Sequence, residues 1–313
     1  MLSRIAESLF WIGRYVERAD DTARIVQVHL RLRAEDPWIG EHDSSRNLVA
    51  LMGLEVPAED GVLDHAEVLR RLGWDRSEPA SIVSCWSSAR ENARRAREVI
   101  PSELWESVNT AWRQLPAGRV GVVRAHTFLD WCRERSALFN GVAGQLMVRD
   151  DGWQFMRLGR SLEQADMTSR MVASAALAQA NTPWPAVLRG CGAHDAFLRT
   201  YRGFRADREA AEFLILDERF PRSVMHGLNT AITCLESLSG VRPRAVEQRS
   251  DAALRTLGRL RARLAYATFD DLLAGLHEEM GGVQRACDEV ARSISQTFFA
   301  PSEDTAWTTE RTL

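Results

Sequence analysis

The chain has no lysine: all 40 basic residues among its 313 are arginine. A phosphate-binding P-loop, a Schiff-base lysine and a pyridoxal phosphate site each need lysine, so all three are excluded. Any cationic recognition must use guanidinium groups, which suit forked contacts to carboxylate or phosphate. Cysteine is sparse, with Cys85, Cys132, Cys191, Cys234 and Cys287 scattered and no C-x-x-C pair. Such an odd set speaks against a disulfide framework or a zinc site and fits a reducing cytoplasm. No apolar run reaches bilayer-spanning length, and no charged-then-apolar leader opens the sequence. A net charge of only −3 gives no bulk attraction to nucleic acid or to a membrane surface. Neither G-x-S-x-G nor G-x-G-x-x-G occurs, and none of the seven histidines has a glutamate three residues before it. The last absence removes the Glu-x-x-His signature of carboxylate-bridged di-metal bundles.

What is present is a repeated charged motif. Gly13–Val26 reads GRYVERADDTARIV, and 146 residues later Gly159–Val172 reads GRSLEQADMTSRMV, identical at eight of fourteen positions. Charged positions recur as well as apolar ones, so the chain reads as an internal duplication. Leu2, Ile5, Leu9, Ile12, Val16, Ala19, Ala23, Val26 and Leu30 step by three and four, which predicts one long amphipathic helix, with Ser3 as its N-cap. Gly13, Glu17, Asp20 and Arg24 follow the seam by one residue and so border the buried face; Gly159, Glu163, Asp166 and Arg170 repeat the stripe. Glycine inside a helix costs about 1 kcal/mol against alanine, so two glycines at matching places predict a close backbone approach. Half-buried carboxylates need partners. Asp20 with Arg24, and Asp166 with Arg170, pair at a spacing of four. Arg14 and Arg160 stand three before Glu17 and Glu163, and a crossing of the two motif helices about a pseudo-two-fold axis lets each glutamate meet an arginine of the other copy.

Two readings follow. In one, the motif is an ion-pair lock between halves; in the other, it lines a polar pocket in which Glu17 or Glu163 acts as general base in amide or acyl transfer. Arg14, Arg18, Asp20, Arg24, Arg160, Asp166 and Arg170 would then line the substrate site, the arginines holding an anionic substrate. The two Glu-x-x-Asp pairs also offer ligands to Mg²⁺ or Mn²⁺, but the flanking arginines already neutralise them, so no cofactor is expected. A second arginine-dense stretch brings in Arg94 and Arg97, with Asn92 and Asn109 at helix-interior positions that point to side-chain hydrogen bonds. Arg222 and Ser223 stand at a helix start, where free N–H groups and a guanidinium suit an anion, and where a capping serine beside a surface arginine serves equally.

Helices are expected over Arg46–Gly53, Leu63–Leu72, Ser81–Ile100, Ser102–Gln114, Val120–Met147, Asp151–Gln179, Ala193–Tyr201, Arg208–Leu216, Ser223–Leu238, Ala245–Thr268 and Asp271–Phe299. Loops are expected at Glu35–Ser44, Asn181–Pro185 and Val241–Pro243. The expected fold is all-α, a multi-helix bundle of two tandem pseudo-symmetric repeats, 1–145 and 146–300, packed as one domain, with a loose tail at 301–313.

Four segments in order, MLSRIAESLFWIGRYVERADDTAR, RENARRAREVIPSELWESVN, VRDDGWQFMRLGRSLEQADMTSR and FLILDERFPRSV, resemble the alpha-E domain family, bacterial all-helical proteins. Gln164 stands where the family pattern puts arginine after the second glutamate, and Leu146 where threonine is common. The resemblance implies a partner of a circularly permuted ATP-grasp ligase, beside a transglutaminase-like peptidase, in a system that makes or modifies peptide-like amide bonds. The chain would bind the ligase, an amino-acid or peptide-like substrate, or both.

Overall fold

The structure, a computed structural model, describes residues 1–35, 41–56, 63–118, 120–177, 184–201, 207–239 and 244–299. Fourteen α-helices and no strand occur among the described residues. The expected tail at 301–313 and the break at Val241–Pro243 lie outside them, as do parts of the two other expected loops.

Helix α1 (Ser3–Glu35) and helix α7 (Asp151–Leu177) carry the two motif copies and make the most extensive helix–helix contact in the molecule. Their seams are buried as the spacing predicts: Leu9, Ile12, Val16, Ala19, Ala23 and Val26 on α1, and Leu158, Leu162, Ala165 and Val172 on α7. Leu2 departs from the seam. It is exposed, and its carbonyl accepts from the Ala6 amide, which makes Ser3 the first helical residue rather than the cap.

Around α1 stand α4 (Ile82–Arg95) and α6 (Val122–Leu146), with α5 (Ser102–Arg113) bridging them. Around α7 stand α11 (Val224–Ser239) and α14 (Leu276–Ile294), with α12 (Arg244–Tyr266) bridging those. The short helices α2 (Glu41–Leu51), α3 (His65–Leu69), α8 (Trp184–Gly190), α9 (His194–Tyr201) and α10 (Asp207–Leu216) fill the connections. Ser81 caps α4 and Ser223 caps α11 by the same device. Each hydroxyl accepts an amide three residues on and donates to a carbonyl six residues back, Asp75 and Asp217 respectively.

The helix expected over Ser81–Ile100 ends at Arg95, and three further expectations need correction. Helix α8 begins at Trp184, inside the expected Asn181–Pro185 loop. Pro185 falls in the first turn, where a missing N–H costs nothing, so it starts a helix rather than breaking one. Helix α2 likewise starts at Glu41, inside the expected loop. The single helix expected over Asp271–Phe299 is divided: α13 (Phe269–Ala274), capped by Thr268, ends at Gly275, and a π-helical turn at Ser295–Phe299 follows α14.

Candidate functional site

The glycines set the geometry of the centre. A Cβ on Gly13 would overlap the Met156 carbonyl oxygen and lie 3.0 Å from the Arg160 nitrogen, while one on Gly159 would overlap the Phe10 carbonyl oxygen. Only glycine at both places lets the backbones come this close. The approach carries the charged stripe from the border of the buried face into the interior. Glu17 and Glu163 are each 0% exposed.

Both glutamates are answered across the helix pair. Arg14 donates through Nε to Glu163 at 2.7 Å, and Arg160 donates through Nε to Glu17 at 2.9 Å. Arg18 adds a fork to Glu163, at 2.5 and 3.0 Å. Gln164, at the place matching Arg18, donates to Glu17 at 3.0 Å but brings no charge. The missing charge comes from Arg222, in the turn before α11, whose Nη2 lies 2.6 Å from Glu17 and which also pairs with Asp20 and Asp21. Arg24 and Arg170 close on Asp20 and Asp166 within their helices, each at 2.9 Å.

The charge states follow from these contacts. Burial works to raise the Glu163 pKa, but the Arg18 and Arg14 charges and hydrogen bonds outweigh it and hold the carboxyl down at about 2. Burial acts on Glu17 in the same direction, and Arg222, Arg160 and Gln164 again outweigh it, leaving its pKa lowered. Asp21 differs. Burial together with the Glu17 and Asp20 charges pushes it well above the usual carboxylate range, against the pull of Arg222. All five cysteines are free and buried, and burial raises each thiol, Cys85 and Cys191 to about 12.

The candidate residues therefore divide. Arg14, Arg18, Glu17, Asp20, Arg24, Arg160, Glu163, Asp166, Arg170 and Arg222 belong to the network of the two motif helices. Arg14 serves Glu163 rather than Glu17, and Glu17 has no exposed face. Arg222 is neither a surface arginine nor free for an outside anion, because its anions are three carboxylates of this chain. Ser223 is the α11 cap. Arg94 and Arg97 stand apart: Arg94 pairs with Glu91 on the exposed face of α4, and Arg97 lies over the Trp105 ring. Asn109 accepts from Arg90, which also sits 4.1 Å from the Trp112 ring centre, and Asn92 bonds back to the Ser88 carbonyl. Glu17, Asp20 and Asp21 could together hold a metal ion, but Arg222 occupies their point of convergence, so a cation would have to displace it.

Asp21 and the arginines Arg31, Arg133 and Arg189 were not singled out by sequence. Arg24, Arg31, Arg133 and Arg189 line a cleft of about 330 Å³ between α1, α6 and α8. A second cleft, of about 370 Å³, lies at Arg170, with Asn47, Ser174, His277 and Gln284 in its wall. Only the spacing of Arg24 and Arg31, two turns apart on α1, carried any signal of the first.

No solved structure matches the chain. Three curated relatives, one from Mycobacterium bovis and two from Mycobacterium tuberculosis strains, are each 24% identical over 332 aligned residues and are described as uncharacterized. The alignment covers 95% of this chain and 37% of each relative, so the chain spans little more than a third of their length. A family profile described as a predicted alpha-helical domain with a conserved ER motif matches residues 1–299, and Glu17-Arg18, at the centre of the charged network, is such a dipeptide. With the match running over nearly the whole sequence, the chain belongs to the Alpha-E family.

Proposed function

We propose that the chain is a helical accessory subunit of an amide-forming ligase system of the ATP-grasp type, a binding partner rather than the catalyst. The observation that supports a binding role is the closure of the motif: Glu17 and Glu163 are fully buried and held by arginines, with lowered pKa values. A general base needs reach to a substrate proton and an affinity for it. Neither glutamate has these unless the network opens. One arginine-lined cleft beside the motif remains open to an anionic ligand. The ligase, and a transglutaminase-like peptidase beside it, enter through the family resemblance, and a cytoplasmic setting accords with five buried free thiols.

The same reading takes 1–145 and 146–300 as two repeats packed as one domain. It is supported by reciprocal contacts: Gly13 on Met156 with Gly159 on Phe10, and Arg14 to Glu163 with Arg160 to Glu17. The deciding experiment incubates the chain, a circularly permuted ATP-grasp ligase, and both together with amino acids and ATP, and follows amide product. The chain alone should be silent, and its addition should raise the ligase's output. Turnover by the chain alone would reject the accessory role in favour of Glu17 or Glu163 as base, and ligase output indifferent to the chain would reject the partnership.

A further inference from the structure

We propose that the cleft between α1, α6 and α8 binds a small phosphate-bearing ligand through Arg24, Arg31, Arg133 and Arg189. Four guanidinium groups and one carboxylate, Asp195, line a space of about 330 Å³, within the size range of small-molecule sites. That carboxylate does little to balance them, since it is 85% exposed and faces His194 at 3.3 Å; Arg24 is held by Asp20 at 2.9 Å, which leaves Arg31, Arg133 and Arg189 to supply the excess charge. Arg31 and Arg189 are exposed and make no ion pair among the described residues. Arg133 is only partly occupied: Nη1 donates to Gln27 at 2.8 Å and lies 3.5 Å from Asp130, while its buried Nε has no partner, a state folded proteins avoid. Burial and the neighbouring charge of Arg24 lower its pKa, outweighing the opposite pull of Asp20 and Asp130.

A control lies within the same molecule. The cleft at Arg170 repeats the lining positions of α1 at a spacing of 146, with Arg170 for Arg24 and Ser174 for Val28. Yet it has Asn47 where a spacing of 142 puts Arg189, and its one arginine, held by Asp166 as Arg24 is by Asp20, also donates to the Leu51 carbonyl. An arginine-rich composition would load both clefts alike. The charge is gathered in one of them, and that points to a ligand. Its class follows from direction. Arg24 and Arg31 come from α1, Arg133 from α6 and Arg189 from α8. Cations converging from three helices suit the spread oxygens of a phosphoryl group, whereas one arginine fork already satisfies a planar carboxylate.

The test is calorimetric titration of the full chain with inorganic pyrophosphate at low salt, with succinate as the carboxylate comparison. Saturable binding at one site is expected, at least tenfold tighter than succinate. Arg31→Gln/Arg189→Gln should weaken it at least tenfold with the helical circular dichroism unchanged. Arg76→Gln/Arg113→Gln, which removes two exposed arginines elsewhere, should leave it intact. No saturable binding, equal loss in both double variants, or succinate binding as tightly as pyrophosphate would each overturn the proposal. A chain that binds pyrophosphate but never engages a ligase would sink the accessory-subunit reading and leave this site standing.

Discussion

Glu163 and Glu17 occupy matching places on α7 and α1, and both are sealed from solvent, yet they are neutralised from different sources. Glu163 takes both its arginines, Arg14 and Arg18, from the single helix that crosses it. Glu17 has Gln164 in place of the second, and its charge balance depends on Arg222, brought in from the turn before α11. In the segment 142 residues earlier, where Pro79 and Ser81 match Pro221 and Ser223, the place of Arg222 is taken by Ala80. Asp21, the extra carboxylate that Arg222 binds, has Met167 at its matching place. One end is thus self-contained in a helix pair, and the other is tied to a third element. A buried charge needs compensation but not from any particular part of the chain.

The sharpest way to break the comparison is Arg222→Met. It leaves Glu17, Asp20 and Asp21 short of a cation and should cost about 3–5 kcal/mol, the usual loss when one partner of a buried ion pair is removed. Arg18→Met should cost less, about 1.5–3 kcal/mol, since Arg14 remains on Glu163. Chemical denaturation of both variants measures the difference, and equal losses would mean that the two ends are equivalent after all. Adding Gln164→Arg to Arg222→Met should recover part of the loss by copying the Arg18 arrangement, though not the share due to Asp20 and Asp21.

Gly13→Ala and Gly159→Ala should each cost about 1–3 kcal/mol, because the added methyl meets a backbone carbonyl that moves only with its helix. Thermal melting of the pair tests the reciprocity of the contact; one neutral substitution would break it.

Acid separates the ends more gently. The Glu163 pKa falls from 4.5 to about 2 on folding, so the stability it contributes is fully present above pH 4.5 and is lost as pH falls toward about 2. Glu163→Gln should flatten the stability profile across that window. For Asp21 the sign reverses. Its folded pKa is raised, so its contribution is fully present below 3.8 and is lost as pH rises through the folded value. Asp21→Asn should therefore raise stability at neutral pH by a small amount, under about 1 kcal/mol. A clear loss in its melting temperature would show that Asp21 is needed as an anion for Arg222.

Much of this was legible before the fold. The period of α1 and α7, the paired glycines and the exchange of arginine for glutamate between copies follow from local spacing, which a helix converts directly into a face. The loop expected at Asn181–Pro185 extends too far, over Trp184 and Pro185, because a proline in a first turn starts a helix rather than breaking one. Arg222 was legible as a helix-start arginine, but not as the partner of Glu17, which lies some two hundred residues away and was brought near by packing alone.

By itself the sequence determined an all-helical chain with two charged helices made to touch, because apolar period, glycine placement and charge spacing are properties of one helix at a time. Whether the glutamates would be open or sealed was decided by tertiary structure: the depth of the α1–α7 approach puts them out of reach of water, and Arg222 arrives from the turn before α11 to make the burial of Glu17 tolerable. The gathering of Arg24, Arg31, Arg133 and Arg189 around one cleft was decided there too. Spacing within α1 puts only Arg24 and Arg31 on one face; three separate helices supply the charges, and only their packing sets where the charges meet.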